Sequence, residues 1–160
     1  AHGVEFPQSF CIKRRAMSLD GGCPLCLAPG GKVLWQDERC RLVLIDEDGY
    51  PGYCRVVWQR HTAEMSDLDA ADRRHLMDVA FAAEAALRAC CAPDKVNLAS
   101  LGNVVPHLHW HVIPRWRDDR HFPNAVWGAP LRQAAARPAV NEQALRDAFV
   151  RALAEEQNGA

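Results

Sequence analysis

The stretch "PHLHWHVIPR", residues 106–115, places His107, His109 and His111 at every second position, with Leu108, Trp110 and Val112 between and after them. Side chains of a β-strand alternate between its two faces, so a strand here carries imidazoles on one side and an apolar set on the other. The apolar side is core material. The histidine side is open or lines a cleft. One histidine in such a place is most simply a solvated or packing residue. Three in alternation, opposite a purely apolar set, ask for a chemical reason.

Distance argues against one metal ion held by all three. Residues two apart on a strand are separated by about 6.5 Å and four apart by about 13 Å, whereas ligand nitrogens sit about 2 Å from zinc. Neighbouring rings can converge on an ion, but the outer two cannot without strong bending. The row suits a phosphate chain better. Histidine titrates near neutral pH, so one ring can be neutral and nucleophilic while its neighbour donates to phosphoryl oxygens. His109, flanked on both sides, is the natural attacker. Its Nδ1–H then needs an acceptor such as a backbone carbonyl, so that Nε2 carries the free lone pair.

Working outward, "KVLWQ" (32–36) and "RCRLVLID" (39–46) read as a hairpin joined by "DE", and "EDGYPG" turns into a third strand, "YCRVVWQ" (53–59). The stretch 66–94 is predicted to be a long helix: Ser66 and Asp69 make an approximate capping box, Leu76, Val79, Ala80, Ala83 and Leu87 recur at helical spacing, and Pro93 ends it. "KVNLASLG" (95–102) is a fourth strand, the histidine stretch a fifth, and "NEQALRDAFVRALAEEQ" (141–157) a closing helix. This order predicts an α+β domain, a five-stranded antiparallel sheet with a long helix packed across it. The divisions expected are a mobile leader over 1–22, the domain proper over 23–130, and a C-terminal helix and tail over 131–160, with Met17 a candidate start.

A formal net charge of -1 over 160 residues gives no electrostatic case for nucleic acid or a membrane surface. No apolar run is long enough to span a bilayer, and the first residues lack the apolar core of a secretory signal. The expectation is a cytoplasmic protein. Its seven cysteines are odd in number and irregular in spacing, which argues against a disulfide framework. Cys90 and Cys91 read as small buried hydrophobes within the helix. Only Cys23 and Cys26, in "GGCPLCLAPGG", have the spacing and Gly/Pro setting of a metal knuckle. A redox pair, which should open a helix after a strand, and two unrelated thiols are the competing readings. His75 and His121 read as surface or packing residues, and His2 as part of the leader.

"HLHWHVIPR" resembles the His-x-His-x-His signature of the histidine triad superfamily, and "GNVVP" before it and "IPR" within it resemble that family's flanks. The likeness runs from Cys23 to about Arg117, and is nearest to bacterial, zinc-containing nucleotide hydrolases of the family. It implies an antiparallel sheet with a long helix, commonly a homodimer, acting on dinucleoside polyphosphates, nucleoside phosphoramidates or similar purine nucleotides. It also implies roles. His109 matches the nucleophile that forms a nucleotidyl-histidine, and His111 the histidine at the scissile phosphate or leaving group. Gly102 and Asn103 fall at a Gly-Gln pair: glycine lets the backbone approach the phosphate, and the shorter amide could donate to it. Asp46 matches the acid that takes the ribose hydroxyls, and Asn97 an asparagine of the same pocket. Leu25 and Leu44 are the kind of apolar residue that would line the base. Tyr53 stands where many relatives carry a histidine, and it can donate a hydrogen bond but cannot carry a proton as an imidazolium does.

The same resemblance implies the rest of the knuckle: Cys23, Cys26, His61 after the third strand and His107 as the ligands of a structural zinc with no open position. Three functions remain open at this level. One is a nucleotide hydrolase or transferase using histidine covalent catalysis. The second is a nucleotide-binding sensor or interaction module with little turnover, and the third a metallohydrolase with catalytic zinc. The tail 115–128, with Trp116, Phe122 and Trp127, is expected to cover the site or a dimer seam.

Overall fold

In a computed structural model of the chain, residues 22–158 are described. The expected leader, with His2, Cys11 and Met17, lies outside them apart from Gly22. The chain forms a short helix α1 (Pro24–Leu27), strands β1 (Lys32–Gln36), β2 (Cys40–Leu44) and β3 (Cys54–Trp58), helix α2 (Ala70–Cys91), strands β4 (Lys95–Ala99) and β5 (His109–Arg115), and helix α3 (Glu142–Asn158). The strands make one sheet in the order β1-β2-β3-β5-β4, antiparallel at every pairing, so the α+β architecture read from the sequence is the one found.

The core lies between one sheet face and the two long helices. Cys40 and Leu42 of β2, Cys54, Val56 and Trp58 of β3, Val96 of β4 and Val112 of β5 meet Leu76, Val79, Ala80, Ala83 and Leu87 of α2 and Leu145 and Phe149 of α3. Full burial of each large aliphatic side chain contributes about 1.5–3 kcal/mol, which is why this face carries almost no polar group. A bulge in β1 between Val33 and Trp35 lets the adjacent Leu34 and Trp35 both reach this core.

Helix α2 starts later than the capping box suggests. Met65–Asp67 forms a 3-10 turn, and Asp69 is the N-cap, its carboxylate accepting from the backbone N–H of Asp72. A carboxylate at that position satisfies an orphan amide and meets the positive end of the helix dipole, which outweighs the more distant Ser66. The helix ends at Ala92, in the left-handed region with φ 44. One other expectation is corrected here. Cys90 is exposed and Cys91 only half-buried against the core. Helix α3 packs on α2 and shares its core. No helix among the described residues is long and apolar enough to cross a membrane.

Candidate functional site

The face of the sheet turned away from the helices carries the histidines. Across it, β3 sets Val57 opposite His109 and Arg55 opposite His111, β2 sets Arg41 opposite Val57 and Val43 opposite Arg55, and β4 sets Ala99 opposite His111. The sequence pattern predicts three histidines in one strand, but β5 begins at His109. His107 lies in the approach, where its own N–H bonds to Val105 O and the following Leu108 N–H bonds to Thr62 O. That bend separates the row into one ring turned toward the cysteines and two left facing each other.

His107 is fully buried. Its Nε2 lies 2.6 Å from the carbonyl oxygen of Trp58, and a carbonyl only accepts, so the proton sits on Nε2 and the Nδ1 lone pair points outward from the ring. Nδ1 is 3.3 Å from Cys23 Sγ and 3.4 Å from Cys26 Sγ, while His61 Nδ1 is 3.3 Å from Cys26 Sγ. All four donor atoms lie within 4.8 Å of one another. With metal–sulfur bonds of about 2.3 Å and metal–nitrogen bonds of about 2.0 Å, a tetrahedral ion would hold such atoms about 3.5 Å apart. The donor set and its spacing fit zinc. Cys23 is the N-cap of the single turn of α1 and Cys26 lies within it, the Cys26 and Leu27 N–H groups bonding to Cys23 O. Buried Arg41 ties that turn to the sheet, donating to Leu25 O at 2.6 Å, Pro29 O at 3.0 Å and Gln59 Oε1 at 2.6 Å. The sequence reading passed over Arg41, since an arginine in a strand carries no sign of its partners.

His109 Nδ1 is 2.6 Å from the carbonyl oxygen of His107, which places its proton there and leaves Nε2 as the free base. Nε2 of His109 stands 3.1 Å from Nε2 of His111. Nδ1 of His111 is 2.6 Å from the Tyr53 hydroxyl. Two lone pairs cannot face each other at that distance, so one proton order satisfies every contact: Tyr53 O–H donates to His111 Nδ1, and His111 Nε2–H donates to His109 Nε2. Both rings are held neutral. Burial lowers the pKa of His109, and burial followed by the neighbouring His109 and Arg55 pushes His111 down to about 3. The site therefore holds an oriented, uncharged imidazole base beside an N–H donor.

The other expected residues are placed unevenly. Leu25 is buried against Cys23, Val43 and Val57, with Ile45 and Val105 alongside, forming an apolar wall on the histidine side. Leu44 is not brought there: it packs with the helix-side core, and Val43 and Ile45 take the position instead. Gly102 has φ +73, while a Cβ built on it would meet nothing closer than 3.8 Å, so backbone conformation rather than space calls for glycine. Asn103 is exposed in the same loop. Asn97 is half-buried, its Oδ1 accepting from Arg115 at 2.7 Å. Asp46 is exposed at the end of β2 and lines a cleft of about 860 Å³ between the 45–52 loop and the segment 133–142. None of the triad histidines lines that cleft. The ordered rings of His109 and His111 lie on the histidine face, away from that cleft.

The tail reaches the site through Trp127, whose ring centroid is 5.0 Å from that of His111. It is anchored by a buried pair: Arg115 Nε donates to Asp119 Oδ2 at 2.7 Å, and the Asp119 carboxylate also accepts from the backbone N–H groups of Trp116, His121 and Phe122 and from the Tyr50 hydroxyl. Despite burial, the Arg115 guanidinium and those N–H groups hold this carboxyl well below the usual range. His121 is buried against Tyr50, and His75 is buried with its Nε2 2.7 Å from Asp37 Oδ2, so both serve packing.

An α+β domain whose antiparallel sheet presents a spaced histidine row beside a Cys/His cluster defines a narrow class. Residues 30–118 match the HIT domain, and the chain belongs to that family. It is similar in structure to a histidine triad protein from Bradyrhizobium japonicum, with 28% identity, a TM-score of 0.59, and coverage of 81% of this chain and 92% of that one. A Zn-bound histidine triad family protein from Mycobacterium smegmatis shares the fold at 20% identity and a TM-score of 0.54, covering 86% of this chain and 97% of that one. Among curated proteins, an AP-4-A phosphorylase of Mycobacterium tuberculosis is 29% identical over 87 residues, which are 51% of this chain and 45% of that protein. The chain thus spans less than half the length of that relative.

Proposed function

We propose that this chain is a nucleotide-processing enzyme that cleaves a nucleoside 5′-phosphoryl bond through a covalent intermediate on His109. The observation that carries the reading is the fixed tautomer of His109: Nδ1 is spent on the His107 carbonyl at 2.6 Å, and Nε2 is left as an uncharged base. Nε2 attacks the α-phosphorus, and the nucleotidyl group rests on His109 until water or a second acceptor resolves it. The His111 Nε2–H, which in the resting site points at His109, turns its proton to a phosphoryl oxygen or to the departing group. The Gly102 backbone and Asn103 approach the phosphate, Leu25 with Val43 and Ile45 receives the base, and Asn97 serves the sugar; Asp46 reaches it only if the sugar extends past Ile45 toward the cleft that Asp46 lines.

Cys23, Cys26, His61 and His107 would hold a structural zinc. Bound there, it would fix the α1 turn and the approach to β5, so that the His107 carbonyl keeps hold of His109. Substrate candidates are dinucleoside polyphosphates, in keeping with the mycobacterial relative's name, or nucleoside phosphoramidates. The homodimer and the cytoplasmic setting expected from the sequence belong to the same proposal.

The test is turnover and trapping. Wild-type protein mixed with diadenosine tetraphosphate or adenosine 5′-phosphoramidate is quenched in base and read by peptide mass spectrometry. An adenylyl adduct on the His109 peptide, absent from His109→Ala together with turnover, is the expected result. Nucleotide binding by calorimetry without any cleavage would instead make the chain a sensor.

A further inference from the structure

Three arginines point from the sheet onto the histidine face, and two of them are fully used by the protein. Arg41 is held by backbone carbonyls and Gln59, and Arg115 by Asp119, Asn97 and the carbonyl of Asn124. Arg55 is different. It sits half-buried in β3 directly across from His111, and its Nε is buried without any hydrogen-bond partner. None of the ion pairs among the described residues involves it. Its guanidinium lies beside the Tyr53 hydroxyl, the group that donates to His111. A half-buried cation with no counter-ion is costly, and one placed beside a reactive base calls for an anion from outside.

We propose that Arg55 is a specificity-determining residue that binds the anionic leaving group of a nucleotide polyphosphate, selecting phosphate over amine leaving groups. The inference rests on His109 being the nucleophile. Cross-strand neighbours have Cβ atoms about 5 Å apart, so Arg55 and His111 flank the same side of the attacking ring. On attack, the His109 Nε2 lone pair forms the N–P bond, and the bond from the α-phosphorus to the bridging oxygen breaks. Both electrons of that bond stay on the oxygen. The departing polyphosphate gains one negative charge, which the guanidinium meets bidentately, and no proton has to move.

A phosphoramidate makes the opposite demand. Its leaving nitrogen must take a proton, from His111 Nε2, and the donor behind His111 is the Tyr53 hydroxyl, whose pKa burial has raised. Passing that proton forward would leave a buried tyrosinate. Burial of Tyr53 disfavours the amine leaving group, which the adjacent guanidinium only partly offsets, while Arg55 favours the anionic one; the two residues sit on the same strand run, two positions apart.

The experiment compares kcat/KM for diadenosine tetraphosphate and for adenosine 5′-phosphoramidate in wild type, Arg55→Leu and Arg55→Lys, with thermal unfolding of each. Arg55→Leu should lose about 30-fold or more on the polyphosphate and less than about threefold on the phosphoramidate, with Arg55→Lys intermediate on the polyphosphate alone. Equal losses on both substrates in a variant that melts like wild type, or no loss on either, overturn the inference. So does a wild type that cleaves only the phosphoramidate. A wild type inactive on both, or a fully active His109→Ala, overturns the nucleophile reading instead.

Discussion

The Tyr53 hydroxyl stands 2.6 Å from Nδ1 of His111, and this contact decides which nitrogen of His111 carries its proton. With the hydroxyl donating, the proton is on Nε2, facing His109. Tyr53→Phe removes the donor and frees His111 to take the other tautomer, which leaves two lone pairs face to face across 3.1 Å. One hydrogen bond of this kind is worth about 1–1.5 kcal/mol, so turnover should fall about tenfold and the melting temperature by about 3–5 °C. A Tyr53→Phe enzyme with unchanged kcat would show that the tautomer is set elsewhere.

The four-donor cluster should bind about one zinc per chain, and its loss should be felt in folding before chemistry. Cys26→Ser and His61→Ala are expected to lower metal content and to reduce the melting temperature by about 5–10 °C, while His109→Ala keeps both. Chelation that abolished activity reversibly with the melting curve unmoved would point to a catalytic ion instead.

Acid should destabilise the fold through His111. Its folded pKa is near 3 against an ordinary 6.5, so between those values the unfolded chain binds a proton that the native chain does not. By linkage, stability rises with pH across that window and is lost as pH falls from 6.5 toward 3. At pH 5 the loss from this one group amounts to at most about 2 kcal/mol. Denaturant titrations at pH 7 and pH 5 should therefore differ more for wild type than for His111→Asn. Similar differences in the two proteins would clear His111 of the effect. Because His109 is also depressed, the acid limb of kcat/KM should fall below pH 6.5.

Asp119→Ala leaves the Arg115 guanidinium, which is 2% exposed, without its counter-ion. Breaking one side of a buried pair costs about 3–5 kcal/mol, and urea unfolding should show it. Turnover should fall as well, since the segment anchored by Asp119 carries Trp127 to the ring of His111. A loss below about 1 kcal/mol would mean that water reaches Arg115 once the carboxylate is gone.

Much of this molecule was legible in consecutive residues, because strand and helix periods are local properties. Alternation through 107–112 announced a strand with an imidazole face, and the spacing of Leu76, Val79, Ala80, Ala83 and Leu87 announced α2. The pair Cys23 and Cys26 announced half of a candidate metal cluster, and family resemblance supplied the two histidines that the fold brings beside them. Tertiary structure decided what periodicity cannot carry. Leu42, Val43, Leu44 and Ile45 run on as consecutive apolar residues, so only the pairing of β2 with β3 puts Val43 and Ile45, and not Leu44, on the histidine side. Only the bend before β5 turns His107 toward a cysteine 84 positions away and leaves His109 with His111. The same register leaves Arg55 beside the triad with its Nε unpartnered among the described residues. Such partners are set by strand register, bulges and turns acting over the whole chain, and no window of neighbouring residues records them.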